Sequence, residues 1–412
     1  MVSNRTKLFV LCATLMIDVL GIGIILPVLP TLVKEMSSGE AGAAATVYGL
    51  LVALYSLMQF LCGPLIGALS DRFGRRPILL ISLIGLVFDY LLLAVAPNLW
   101  VVALARIIGG IMGASLTTAS AYIADITEPE QRAEYFGYLG AAFGLGFIIG
   151  PLMGGVLAEL GPRVPFYAAA AVSFVVFVFA WFALPESLHK RKRRRFQLRE
   201  ANPIGAFTVI ARYPVVLSLI AVFAVTQLAE RMLESNWVLF TDFRFGWGPS
   251  QVGLSLALVG VLYVIAQGLL VRRVVPWLGE GRTLTFGLIV GGLCLVGLGF
   301  ATETWMVFAV IVPYVLGWGL TGPAIQSIVT SEVSDKEQGL LQGAMTSTAT
   351  ATGIVGPPVS GTLFGYFVSD SAPLFLPGIA FLLGAGLFAI GFVLHMRRHR
   401  ETPVPRPANG AE

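Results

Sequence analysis

Gly67-Ala68-Leu69-Ser70-Asp71-Arg72-Phe73-Gly74-Arg75-Arg76-Pro77 is a short run of charge and glycine set between two long apolar stretches. Residues 46–69 on one side and 78–96 on the other are each long enough to cross a bilayer. The sequence therefore predicts a tight polar turn joining two membrane helices. Its three arginines place that turn on the cytoplasmic side. Gly67 predicts a helix end that approaches a neighbour closely, and Gly74 a turn with positive φ. Arginines alone would set the topology, so Asp71 calls for another reason. A carboxylate at a helix end beside Arg72 and Arg75 reads as an ionic latch.

Composition carries the same pattern along the chain. Of 412 residues, 56% are hydrophobic and 12% charged, and the mean hydropathy is +0.83. Twelve apolar spans are expected: about 8–30, 46–69, 78–96, 99–124, 134–158, 164–184, 214–241, 250–271, 282–301, 304–329, 338–365 and 372–396. With the chain starting inside, the cytoplasmic segments hold 22 of the 27 Lys and Arg. The external loops hold Lys34, Arg163 and Arg244, and only Arg106 and Arg231 fall inside spans. Both termini are thus expected in the cytoplasm. Arg5 and Lys7 precede the first apolar run as in a signal peptide, but that run carries Asp18 and Pro27 and lacks a small-residue cleavage site, so it reads as a retained helix. Under this topology the net charge of +4 reflects sidedness and implies no nucleic-acid partner. Cys12, Cys62 and Cys294 lie scattered in apolar runs, giving no metal spacing and no expected disulfide. No nucleophile, metal or nucleotide motif points to an enzyme, and no cofactor is implied.

The expected organisation is all-α: residues 1–184 as a six-helix half, 185–213 as a basic cytoplasmic linker, 214–396 as a second six-helix half, and 397–412 as a disordered tail. The run Lys190 to Arg195 should lie near anionic headgroups, and Pro203 to Ile210 reads as a short surface helix. The halves repeat. Gly150-Pro151 matches Gly356-Pro357 and Gly137 matches Gly343, both at an offset of 206. Glu130-Gln131 matches Glu337-Gln338 at 207, and Gly74 matches Gly279 at 205. One chain holding both halves is expected to function as a monomer.

Three groups of residues carry candidate chemistry. In span five, Gly146, Gly150 and Gly154 are four apart and bare one helix face for close packing, while Pro151 removes a backbone hydrogen bond and bends the helix. Ionisable residues inside spans are costly and are functional candidates by default. Asp18 and Asp89 should lie roughly 15 and 18 Å deep, near the midplane. Arg106 lies early in span four, and Asp125 closes that span within reach of Arg75. In span seven, Glu230 and Glu234 share a face, Arg231 can pair with Glu234 at three residues, and Glu230 is left without an intrahelical partner. His189, His395 and His399 read as loop or tail-edge residues, so proton chemistry falls to carboxylates. Tyr55, Gln59, Ser115, Thr117, Thr118, Arg231, Asn236, Trp237, Tyr263, Gln267 and Gln326 are candidates to line a central cavity for a flat amphipathic ligand, although any of them can instead bond across to a neighbouring helix.

The loop at 67–77 resembles the signature loop of the major facilitator superfamily, G-x-L-S-D-R-x-G-R-R-P, at every fixed position. Span five resembles the G-x-x-x-G-P-x-x-G-G motif of that superfamily's proton-coupled antiporters. Within them the chain is similar to the bacterial tetracycline/proton antiporters. The similar segments are Asp18 to Pro30 in span one, Asp89-Tyr-Leu-Leu-Leu-Ala in span three, Gln131-Arg132 before span five, and Trp237 to Trp247 in the second half, from the end of span seven onward. The resemblance covers most of residues 7–365. It implies two pseudo-symmetric six-helix halves with substrate at the midplane between them. It gives gating positions to Ser70, Asp71, Arg72, Arg75, Asp125, Gly150 and Pro151, and functional positions to Asp18, Asp89, Arg106 and Gln267. Two departures stand out. Tyr263 occupies a position where relatives carry histidine, and Gly291 one where they carry aspartate, while span seven gains Glu230, Arg231 and Glu234. The expectation is a bacterial inner-membrane exporter that exchanges protons for an amphipathic organic compound, tetracycline-like or another drug. A proton-coupled symporter or facilitator for a small nutrient is the alternative.

Overall fold

A computed structural model describes residues 4–37, 41–113, 115–128, 132–193, 213–333 and 337–401, with the side chains of 4–7, Asp18, Ser115, Leu116, Arg132, Ala133, Phe136, Lys192, Pro214 and 398–401 outside the description. Every regular element among the described residues is helical. Eleven helices are long and apolar enough to cross a membrane: Leu8–Met36, Ala41–Phe73, Arg75–Val95, Leu99–Ile126, Gly137–Ala158, Val164–Ala183, Val215–Phe245, Pro249–Leu278, Glu280–Gly299, Thr304–Ser331 and Ile379–Arg397. The helix Gln338–Phe367 is 30 residues long and completes the series of twelve. It is not among the eleven by hydropathy, and it packs along Ala41–Phe73 as the most extensive helix pair in the molecule. We number the twelve as spans one to twelve in chain order. Pro203 to Ile210, Arg194, Arg195 and the Glu130-Gln131 landmark lie outside the described residues.

The repeat is visible in backbone geometry. Gly74 (φ 110°, ψ 159°) and Gly279 (φ 79°, ψ 156°) each stand immediately before a span, three or nine, in a region that only glycine occupies at low cost. Each donates its N–H four residues back, to Ser70 O and Val275 O. Span five packs on span one through Gly150, where a Cβ would lie 2.7 Å from Leu20 O. Span eleven packs on span seven through Gly356, where a Cβ would lie 3.0 Å from Arg231 Cβ. Trp100 and Trp305, 85% and 69% exposed, open spans four and ten at one end of the bundle, as interface anchors do.

Where the halves touch is set by small residues. At the end away from the 67–77 loop, a Cβ on Gly42 of span two would lie 2.9 Å from Gly365 O of span eleven. Gly49 and Gly361 are as close to the facing backbones of Pro357 and Ala45. Spans five and eight meet likewise, with Gly155 against Pro249 O and Gly253 against Pro151 O. At the loop end, Gly63, Gly67, Gly137, Gly140, Gly268 and Gly339 have nothing within 4 Å of an added Cβ. The buried apolar core follows this division. One cluster joins both halves, and in the first half it includes Leu20 to Val33 and Leu86 to Ala96. A separate cluster (Leu11, Leu79, Leu83, Tyr122, Ile123, Val176) belongs to the first half alone. The halves are therefore sealed at one end and parted at the other.

Candidate functional site

The arginine loop is held entirely by its own half. Helix Ala41–Phe73 stops at Phe73, Gly74 reverses the backbone, and Arg75 begins the next helix. Arg75, 8% exposed, is the hub. Its guanidinium lies 2.5 Å from Asp71 Oδ1, 3.2 Å from Asp125 Oδ2, and donates to Ser70 Oγ at 2.6 Å. Two residues after span six complete the cluster. Glu186 Oε1 accepts the Arg75 N–H at 2.8 Å, capping span three, and Ser187 Oγ donates to Asp125 Oδ2 at 3.0 Å. Arg72 is not in the cluster; its guanidinium lies 5.1 Å over the ring of its neighbour Phe73. Spacing along the chain gave no sign of Glu186 or Ser187, because a contact 111 residues away depends on how span six returns to the loop.

Between the halves lies a chamber of about 410 Å³. On the first-half side it is lined by Tyr55, Gln59, Asp89 and Arg106. Span three presents Asp89, 1% exposed, and span four presents Arg106, whose Nη2 donates to Asp89 Oδ1 at 2.8 Å and Oδ2 at 2.9 Å. Gly109, one turn beyond Arg106, makes room for the carboxylate: a Cβ there would lie 2.6 Å from Asp89 Oδ2. Arg106 also lies 5.6 Å over the Tyr55 ring, a cation–π contact on its other side. Gln59 donates to Gly113 O at 3.2 Å. Span seven contributes Arg231 and Glu234, paired at 2.8 Å. The chamber thus carries one ion pair from each half.

Glu230 stands one residue before that second pair. Its Oε2 is buried with no hydrogen-bond partner among the described residues. It lies within electrostatic range of Tyr263 and Tyr314 rather than on the chamber wall. Tyr263, Gln267 and Gln326 line a second, larger cavity of about 810 Å³ that belongs to spans seven, eight, ten and eleven. Asp18 and Ser115 sit in the helices of spans one and four, but their side chains lie outside the described residues.

Four expected cavity residues are placed elsewhere. Thr118 and Asn236 are fully buried in helix packing and line neither cavity. Trp237, 3% exposed, donates its indole N–H to Ser255 Oγ at 3.0 Å and packs edge-on against Trp247. Trp237 thus turns to a neighbouring helix, whereas Thr118 Oγ1 and both amide atoms of Asn236 are buried with no hydrogen-bond partner among the described residues. Thr117 is exposed and outside both cavities. His395 also departs from expectation. It is buried inside span twelve, with Nε2 3.1 Å from Gly281 O. Gly150 and Pro151 lie where span five is pressed between span one and span eight, Gly150 against Gly23 and the Pro151 carbonyl against Gly253.

At the sealed end, Lys34 Nζ and Asp242 Oδ2 bridge the two halves at 2.6 Å. Ser250 of span eight hydrogen-bonds Glu159 and, at 3.3 Å, Gly155 O of span five. Neither link was visible in the sequence, since each depends on how one half registers on the other.

Three comparisons bear on this arrangement. The Major Facilitator Superfamily profile matches residues 11–357. The chain is 39% identical to the class C tetracycline resistance protein of Escherichia coli, over 94% of this chain and 96% of that one. It is 37% identical to the class B protein of the same organism, over 95% and 96%. Among solved structures, a bacterial homologue of the lysosomal transporter Spinster in an inward-facing, unoccupied conformation superposes with a TM-score of 0.78. That match has 16% identity and covers 96% of this chain and 97% of that one, so it speaks to the fold alone.

Proposed function

The chain belongs to the Major Facilitator Superfamily, among the relatives of the tetracycline resistance proteins, and we propose that it exports an amphipathic, tetracycline-like drug in exchange for protons. It is a multi-pass membrane protein; its likeness to the Escherichia coli tetracycline resistance proteins supports a bacterial inner membrane, and the distribution of Lys and Arg favours both termini in the cytoplasm. The parted end of the bundle then opens to the cytoplasm, and the sealed end faces out.

The observation that carries this reading is the Asp89–Arg106 pair on the chamber wall. A charge inside a span is costly to insert unless it is paired or neutralised. Asp89 has two ways of being satisfied: as a carboxylate on Arg106, or as a neutral acid. While Asp89 is charged, its oxygens accept from Arg106 and from a hydroxyl or cationic group of the drug. A proton on Asp89 removes that acceptor and releases the drug, so drug and proton exclude each other at the same carboxylate. That competition ties drug occupancy to the proton. Protons moving inward supply about 2.3 kcal/mol per charge per 100 mV, besides the pH term. Arg231 and Glu234 present the complementary pair from the other half, and Glu230, Asp18 and Glu234 are further carboxylates for the same exchange. Gln59 and Tyr55 orient the drug in the chamber.

The cluster of Ser70, Asp71, Arg75 and Asp125 stiffens the ends of spans two and three. It gives the second half a fixed surface to close against when the cytoplasmic side shuts. Gly150 and Pro151 let span five keep contact with both span one and span eight as the halves rock. The Lys190–Arg195 segment would rest on anionic headgroups.

The test is uphill uptake of tetracycline into inverted vesicles with an imposed proton gradient. Antiport is expected to concentrate the drug and to release protons from the lumen when drug is added outside. Drug and protons moving in the same direction would support symport instead. No uptake of tetracycline or of any compound in a toxic-drug panel would end the export reading.

A further inference from the structure

The linings of the two cavities meet at Ala349 and otherwise differ, and the larger cavity has the makings of a binding site of its own. Among the described residues its wall contains no charged side chain. Each of the four helices around it contributes one glutamine: Gln227 from span seven, Gln267 from span eight, Gln326 from span ten and Gln342 from span eleven. An open water path needs no such convergence. Four amides offer donors and acceptors without charge, whereas the chamber beyond is built from two ion pairs. Beside them stands an aromatic shelf. The Trp318 ring lies 5.5 Å from Tyr263 and 6.3 Å, nearly parallel, from Tyr314. Span eight changes form at this level: Ala266–Leu270 is a π-helical turn, which is rare and concentrates at functional sites. The turn carries Gln267, whose Nε2 donates to Gly319 O at 3.1 Å across to span ten.

We propose that this cavity is a receiving site for the drug, separate from the charged chamber, and that it binds the uncharged, hydroxyl- and amide-bearing face of a flat polycyclic molecule. The glutamines pair with hydroxyl, carbonyl and carboxamide groups, and the Trp318 shelf takes the edge of the ring system. Among the described residues Ala349 alone lines both cavities, so it stands at the neck between them. The drug is held first among neutral groups and passes Ala349 to meet Arg106 and Arg231.

This inference rests on the drug-export reading, so the first measurement is tetracycline transport by the full-length protein in proteoliposomes. With transport present, the wild type should bind two tetracyclines per chain by equilibrium dialysis. Ala349→Phe should bind one and transport none. Gln326→Leu with Gln342→Leu, each removing neutral hydrogen bonds, should raise KM about five- to tenfold with kcat unchanged. Ala349→Phe is checked for folding by its melting temperature, and Ala349→Leu serves if it fails. Transport with a single bound tetracycline and an unchanged KM in the glutamine double variant would overturn the receiving site while leaving export intact. Absence of transport in the wild type would instead remove tetracycline export itself.

Discussion

Arg106 grips both oxygens of Asp89 with one nitrogen, Nη2, at 2.8 and 2.9 Å, inside a wall where Asp89 is 1% exposed. Breaking a buried pair from one side costs more than removing both charges, because the survivor keeps its desolvation penalty.

Arg106→Ala should therefore destabilise the protein by about 3–5 kcal/mol. Asp89→Asn, which keeps the shape of its side chain, should cost less. The double variant Asp89→Asn with Arg106→Gln should recover stability but not coupling. In vesicles, Asp89→Asn should still exchange drug for drug yet fail to concentrate it. Uphill uptake by Asp89→Asn with ordinary proton dependence would move the coupling site to Asp18 or to Glu230 and Glu234.

Gly74 and Gly279 give a matched comparison across the repeat. Both hold glycine-only backbone, so alanine costs about 1–3 kcal/mol of strain at either. At Gly279 the added Cβ meets nothing within 4 Å, whereas at Gly74 it runs into the Glu186 carboxylate that caps Arg75. Gly74→Ala should thus lower both the melting temperature and the transport rate more than Gly279→Ala. Equal losses would mean that the Glu186 cap contributes nothing to the loop.

What could be read from the sequence was what depends on neighbours along the chain. The Arg231–Glu234 pair is a three-residue spacing on one helix, and the unpartnered Glu230 follows from it. The positive φ of Gly74 follows from residue type, but close approach does not: Gly150 meets another helix, while Gly67, expected to approach a neighbour, has nothing within 4 Å of an added Cβ. What failed were statements about rotation and register. A helical wheel does not say that Trp237 turns to Ser255 instead of to a cavity, or that His395 sits beneath Gly281. It cannot bring Lys34 to Asp242, 208 residues away. It also could not divide Gln59 from Gln267, which serve different cavities: both halves line the first, and the second half lines the other.

Glu230→Gln should leave stability unchanged or slightly improved, since Oε2 forms no hydrogen bond to lose and burial penalises a charge. Its effect should fall on the proton dependence of transport or on the preference among drugs. Identical pH profiles and drug preferences in the variant and the wild type would reduce Glu230 to a packing residue.

The sealed end has two kinds of fastening, and their sizes decide which governs the conformational balance. Lys34 and Asp242 are each about 40% exposed, 41% and 42% by side chain. Exposed pairs of this kind contribute roughly 0–1 kcal/mol and weaken with salt. Lys34→Gln should then shift the ratio of the observed state to the opposite one by no more than about fivefold, less at high salt. The helix contacts are stronger, since Gly49 and Gly361 let spans two and eleven meet at their backbones. Gly361→Leu forces a side chain into the Ala45 carbonyl and should drive the sealed end open almost completely. Spin labels at Gly67 and Gly339, where an added side chain meets nothing within 4 Å, report the opposite end of the same two helices. Their separation should shorten in Gly361→Leu as the cytoplasmic side closes, and barely change in Lys34→Gln. A large shift in Lys34→Gln with none in Gly361→Leu would mean that the ion pair, not the glycine contact, holds the outer side shut.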